Sequence, residues 1–330
     1  MIASVQFKHF KALRATSLRL EPFNLLIGPS GSGKTSLIQA LLRLRVLTRP
    51  AAQPPRPEPG DTPEIVFRFA PPAADIEVRL WGRSDQVCDY SEVLHPPTDE
   101  ARARWAVLRS RLDGIRAYLF DHYAMAEPAA PSDGGALSSN GRNLGAVLER
   151  LREQEPGRFA RIEAEFCRAL PDFSGVTPER TDAGVRLALR LREDGRILSA
   201  ENLSQGALYA LAVLTLSFSP QPATMVCLEE ADRGIHPRLL REVRDALYRL
   251  CHPAESGPGR DPVQVVATTQ SPFLLDLFRD HPEDVVIASK RGRSATFARL
   301  SDRPDAREII AGGSLGDLWF SGILGGVPEE

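Results

Sequence analysis

Residues 23–36 constrain this chain more than any other stretch. Leu25, Leu26 and Ile27 form a short apolar run that reads as a buried strand and stops at Gly28. From Gly28 through Pro29, Ser30, Gly31 and Ser32 to Gly33, Lys34 and Thr35, the spacing fits G-x-x-x-x-G-K-[ST], the phosphate-binding loop. Ser36 follows, and Leu37, Ile38, Leu41, Leu42 and Leu44 continue with helical spacing. Strand, glycine loop and helix in that order are the context in which the motif has chemical meaning. Glycines let successive backbone N–H groups curl around a polyphosphate, and the helix N-terminus adds its positive end. Lys34 would reach the β- and γ-phosphates of a nucleotide, and the Thr35 hydroxyl would ligate Mg²⁺. The competing reading is a glycine-rich turn that matches by chance, and the flanking strand and helix weigh against it.

Composition excludes several function classes. The chain has 330 residues, with 41 basic and 43 acidic ones, so it can bury a large core and shows no global preference for nucleic acid. Four cysteines, Cys88, Cys167, Cys227 and Cys251, are scattered without a C-x-x-C pair, which fits a reducing cytoplasm. No run of about 18 apolar residues predicts a membrane helix, and the first ten residues do not read as a signal peptide. Arg, Ala and Pro are abundant and lysine is scarce.

Residues 2–8 and 15–21 alternate like strands leading into the loop-bearing strand. Residues 48–63 are proline-rich and predict a mobile surface loop. Strands are expected over 64–69, 76–81 and 115–120, and a helix over 99–112. Residues 127–142 read as loop, and 143–170 as helix. Val185, Leu187, Leu189 and Leu191 alternate with Arg186, Ala188, Arg190 and Arg192, a half-exposed strand with a basic outer face. That face is either a solvated strand surface or a nucleic-acid contact, the first being the simpler. No heptad pattern is sustained, which excludes a long coiled-coil arm.

Three further segments carry site chemistry. Residues 223–228 are a continuous apolar run that delivers Glu229 and Glu230 at its end. In a P-loop site the first carboxylate would hold Mg²⁺ and the second would orient the attacking water. Ser204, Gln205 and Gly206 open a long apolar helix. Ser204 is either a simple N-cap or, with Gly206, a phosphate-facing group. Residues 263–267 predict a third buried strand, followed by Thr268, Thr269, Gln270, Ser271 and Pro272. Polar groups just past strand ends face the ligand crevice of an open α/β sheet.

In this order, these pieces resemble the ATP-binding-cassette class of P-loop ATPases. More narrowly they resemble the ATPases grouped with the RecF, SMC and OLD proteins. Leu203 to Gly206 resembles the ABC signature, Met225 to Pro237 the extended Walker B and D-loop, and Thr268 to Pro272 the switch motif. The resemblance implies an α/β P-loop fold with a mixed central sheet, an antiparallel β insert and a small helical lid. It implies one ATPase domain over 1–330, with a β-rich insert at 48–142 and a lid at 143–200. A lobe at 200–330 would carry signature, Walker B and switch.

The resemblance also implies ATP and Mg²⁺ as cofactors and an ATP-dependent homodimer. ATP on the Walker A loop of one copy would be sandwiched by Ser204 and Gly206 of the other. Glu230 would be the hydrolytic base, with Thr35 and Glu229 on the metal, and Phe10 and Lys11 near the base and ribose. Gln86 is the candidate for the Q-loop glutamine. Gln270 stands where a switch histidine is expected, and an amide carries neither proton nor charge, so slow turnover is expected. The implied role is a cytoplasmic switch acting on a separately encoded effector such as a nuclease, in anti-phage defence or genome maintenance. A DNA-sensing ATPase of the RecF kind is the alternative. The apolar tail, residues 313–328, would dock on its own domain or bind a partner.

Overall fold

The computed structural model describes residues 1–47, 62–252 and 261–327. The proline-rich stretch expected as a loop lies, but for residues 62 and 63, outside the described residues. In chain order the elements are β1 (Ile2–Phe10), β2 (Leu13–Arg19), β3 (Phe23–Ile27), α1 (Lys34–Leu47), β4 (Glu64–Phe69), β5 (Glu77–Trp81) and β6 (Tyr90–Leu94). Then come α2 (Asp99–Leu112), β7 (Ile115–Tyr118), α3 (His122–Ala126), α4 (Leu144–Gln154), α5 (Pro156–Ala169), β8 (Phe173–Thr181), β9 (Gly184–Leu191) and β10 (Ile197–Ser199). The last are α6 (Gln205–Ser217), β11 (Met225–Leu228), α7 (Leu240–Cys251), β12 (Gln264–Thr269), α8 (Pro272–Asp276), β13 (Val285–Arg291), β14 (Ser294–Arg299), α9 (Ala306–Ala311) and α10 (Leu315–Phe320).

Contacts divide the chain into two compact units. One comprises Met1–Ala117, Ala223–Glu229 and Pro262–Glu330, the other Tyr118–Pro222 and Glu230–Asp261.

The first unit is built on two sheets. A six-stranded sheet runs β14-β13-β3-β12-β11-β7, with β13, β3, β12 and β11 mutually parallel and β14 antiparallel to β13. The parallel strands read as unbroken apolar runs, such as Met225–Leu228, because both faces are buried. A five-stranded antiparallel sheet runs β2-β1-β4-β5-β6. The strands expected as an insert therefore extend the N-terminal sheet, with β4 paired to β1 along most of its length. One face of α1 (Leu37, Ile38, Leu41, Leu44) shares a single apolar core with Phe7, Ile65, Phe67 and Val78 of one sheet and Leu26, Cys227, Val266 and Val286 of the other. The helix after the phosphate loop thus lies between the sheets.

Buried polar groups pin this unit. Gln264 exchanges hydrogen bonds with the backbone of Ile2, its Oε1 accepting at 3.1 Å and its Nε2 donating at 2.9 Å. Asn24 Nδ2 donates to the carbonyls of Glu21 and Val265, and its Oδ1 accepts from Arg299 at 2.9 Å. Such groups are costly to bury unless every polar atom is satisfied.

The second unit is helical around a three-stranded antiparallel sheet, β10-β9-β8. The helical stretch breaks in two at Glu155, because Pro156 disfavours helix at the residue before it and starts α5 itself. β8 carries no alternation clear enough to predict it from sequence. Helix α6 is buried from Gly206 to Ser217 on every side, which explains its uniformly apolar sequence. Glu165 and Arg249 form a bidentate pair at 2.6 and 3.0 Å, and the Arg249 guanidinium stacks 4.8 Å from the Phe218 ring.

The basic strand face is largely committed inside its own unit. Arg186 pairs with Glu179 at 3.4 Å, and Arg192 donates to the carbonyls of Pro171 and Phe173, while Arg190 stays exposed. The tail docks on its own unit. Gly316 N–H and Ser314 Oγ both donate to Asp276 at the end of α8, and Trp319 Nε1 donates to the Gly326 carbonyl.

Candidate functional site

Sheet register assembles the first unit's polar groups. β12 pairs with β3 so that Thr269 lies opposite Ile27, and β13 pairs so that Ile287 does too. Gln270, Gly28 and Ala288 are therefore one step beyond the same rung, at the carboxyl end of the parallel strands. Thr268 and Thr269 are buried and Gln270 is exposed.

Gly28 has φ of 156°, and a Cβ there would lie 2.1 Å from the Ala288 carbonyl oxygen. No other residue fits so close a backbone approach. Gly33 has φ of 91°, and a Cβ would meet Leu13 Cδ2 at 2.6 Å. These two positions explain the glycines of the motif by packing as well as by ligand access. The loop between them is half-buried at Pro29, exposed at Ser30 and Gly31 and buried at Ser32. Lys34 Nζ folds back over the loop and donates to the carbonyls of Gly28 at 2.6 Å and Pro29 at 2.8 Å. Its ammonium is thereby held above the loop opening. Ser36, in the first turn of α1, is half-buried.

Thr35 Oγ1 donates to Glu229 Oε2 at 2.9 Å. A hydroxyl and a carboxylate oxygen in contact beside a phosphate loop are hard donors suited to Mg²⁺, and they fit that ion chemically. Below them Cys227 is fully buried, and burial pushes its thiol well above the usual range. That thiol stays neutral packing rather than a ligand.

The remaining predicted residues lie in the second unit. Glu230 is exposed, has φ of 52° and pairs with Arg233 at 3.5 Å. A glutamate in the left-handed region is strained, and such strain collects at working sites. Ser204 Oγ accepts from Ala207 N–H at 3.3 Å, so it caps α6 while staying exposed. Gly206 is buried, and a Cβ on it would sit 2.7 Å from the Gly234 carbonyl oxygen. The Gln205 side chain packs against Gly234 as well. Gln205 and Gly206 thus pack directly against Gly234. Tyr209, one turn on, donates its hydroxyl to the Phe120 carbonyl, and burial raises its pKa.

Phe10 and Lys11 separate in role. Phe10 is buried and stacks on Phe7 at 6.1 Å, so its ring is part of the core. Lys11 has φ of 50°, is half-buried and donates through Nζ to Gln39 of α1. Gln86 is exposed on the β5–β6 loop and bonds Asp85, whose carbonyl accepts the Lys11 N–H at 2.7 Å. Sequence reasoning passed over Ala288, whose only signal is an alanine in a valine-rich strand.

The sequence profile of the family described as "AAA domain, putative AbiEii toxin, Type IV TA system" matches residues 23–276. Among solved structures, the SMC head domain from Thermotoga maritima is similar over 90% of this chain and 98% of that chain, at 13% identity and a TM-score of 0.48. Comparison with curated proteins gave no match.

Proposed function

The chain belongs to that AAA-domain family of P-loop ATPases, and from this premise we propose that it binds ATP with Mg²⁺, hydrolyses it slowly and acts as a dimeric switch. The single observation that carries the reading is the 2.9 Å bond between Thr35 and Glu229, which joins the phosphate loop to the acidic strand end. Backbone N–H groups of the loop and the Lys34 ammonium would hold the phosphates, and Thr35 and Glu229 would hold the metal. Bound there, Mg²⁺ would neutralise charge on the phosphates. Glu230 would accept the proton of the attacking water, and Gln270 would orient that water by hydrogen bonding.

Ser204 and Gly206 of a second copy would complete the site, which makes association depend on ATP. The biological reading is a cytoplasmic regulator of a separately encoded effector, such as a nuclease, in anti-phage defence or genome maintenance. The family description's word "toxin" is in keeping with a defence role. A RecF-like DNA sensor is less well supported, since Arg186 and Arg192 are already bonded within their own unit. Size-exclusion chromatography of Glu230→Gln with MgATP tests the switch. A dimer that forms only with ATP is expected, and a monomer would refute the sandwich.

A further inference from the structure

The chain has only four lysines among its 41 basic residues, Lys8, Lys11, Lys34 and Lys290. Two of them, Lys34 and Lys290, meet at the phosphate loop. Lys34 is in the loop. Lys290 reaches it from β13, where its Nζ lies 3.5 Å from the place a Cβ on Gly31 would occupy. Lys11 is directed elsewhere, its Nζ donating to Gln39 of α1.

The placement of Lys290 follows from strand geometry. Ala288 packs its backbone on Gly28, and side chains two apart on a strand share a face, so Lys290 projects along the same loop two residues on. Lys290, Arg291 and Arg293 form the tip of the β13–β14 hairpin and are all exposed. Among the described residues, none of the three has an ion pair or a side-chain hydrogen bond. Arginines elsewhere in the chain are commonly paired, as Arg180 is with Glu149 and Glu153 and Arg249 with Glu165. An unpaired ammonium on a flexible stem, beside a loop built for anions, is a point-charge phosphate ligand in waiting.

We propose that Lys290 is a second phosphate-binding lysine, supplied from β13 of the same chain, which adds to the hold of Lys34 on the polyphosphate of the bound nucleotide. The proposal rests on the loop binding ATP. It places part of the affinity on a residue outside every motif, and it makes that part grow with the charge of the ligand.

The test is titration of the full chain with fluorescent ATP, ADP and AMP analogues in Mg²⁺, for the native protein, Lys290→Met, Lys290→Arg and Lys34→Met. A charge a few ångströms from phosphate at a solvated rim is worth about three- to tenfold in affinity. Lys290→Met should therefore weaken ATP binding roughly three- to tenfold, ADP less and AMP least. The difference should shrink toward nothing near ~1 M salt. Lys290→Arg should bind within about twofold of the native protein, since the charge is kept. If native protein and Lys290→Met bind ATP equally while Lys34→Met fails, the proposal falls and the loop's function stands. A uniform loss across ATP, ADP and AMP with a lowered melting temperature would mean a structural role and would also overturn it. If the native protein binds none of the three, the ATP reading itself fails, and the proposal with it.

Discussion

Glu230 offers a test in which stability and activity move in opposite directions. Its φ of 52° places a residue with a Cβ in the left-handed region, at a cost of roughly 1–2 kcal/mol. Replacing it by glycine removes that cost but adds back roughly 0.5–1 kcal/mol of unfolded-chain entropy. The carboxylate's 3.5 Å ion pair with Arg233, about half exposed on both sides, contributes only a few tenths of a kcal/mol. Glu230→Gln loses that ion pair too but keeps the strain, so the comparison of Gly with Gln isolates the backbone. Glu230→Gly should be more stable than Glu230→Gln by about 0.5–1 kcal/mol, a rise of roughly 1–3 °C in melting temperature. Glu230→Asn should fall between them, because asparagine tolerates this conformation. All three variants should lose roughly 10²- to 10⁴-fold in hydrolysis if Glu230 is the base. Differential scanning fluorimetry and a phosphate-release assay on the same preparations check both limbs. A Gln variant at least as stable as the Gly variant would show that the strain is not felt, and an active Gly variant would remove Glu230 from catalysis.

Gln270→His should raise the hydrolysis rate in a steady-state assay, because histidine can share a proton where an amide cannot; an unchanged rate would break the link between Gln270 and slow turnover. Asp276→Ala removes the acceptor for Ser314 Oγ and Gly316 N–H, so hydrogen exchange in Leu315–Phe320 should speed up by the equivalent of about 1–3 kcal/mol. Burial pushes the Cys88 thiol up to about 12 and raises that of Cys227. A thiol reagent at pH 8 should therefore reach the half-buried Cys167 well before either. The same raised values mean that stability present at neutral pH is lost as pH climbs from the unfolded thiol range toward the folded one, which an alkaline unfolding series measures.

Local chemistry was legible in the sequence and long-range placement was not. The phosphate loop, α1 and the apolar runs of β3, β11 and β12 could be read because each is specified by neighbours in the chain: periodicity, a glycine spacing, an acidic end. The membership of β4 to β6 in the N-terminal sheet could not, since strand alternation says which face is buried but not which strand is the partner. Ala288 and Lys290 left no signal, because their importance comes from a register between strands about 260 residues apart in sequence. β8 was missed because Gly175 and Pro178 blur its pattern, and the ladder with β9 holds it regardless.

In the proposed switch, the slow step would originate at Gln270. Gln270, Gly28 and Ala288 lie one step beyond the same rung of the sheet, and in the proposed mechanism Gln270 would take the place of a switch histidine. An amide donates and accepts hydrogen bonds, so it can still orient water and contact a phosphate. It cannot share the proton that leaves the nucleophile, and a positioned acid or base is worth roughly 10²- to 10⁴-fold. In the proposed mechanism that burden would fall on Glu230, an exposed carboxylate held in a strained backbone. Binding, by contrast, would draw on Lys34 over the loop, on Thr35 and Glu229, which are in contact, and on the proposed contact from Lys290. A site strong in phosphate contacts and weak in proton transfer spends most of its cycle with nucleotide bound. In the proposed dimer, the lifetime of the closed state would then be set by hydrolysis, and the chain would signal by how long it holds ATP.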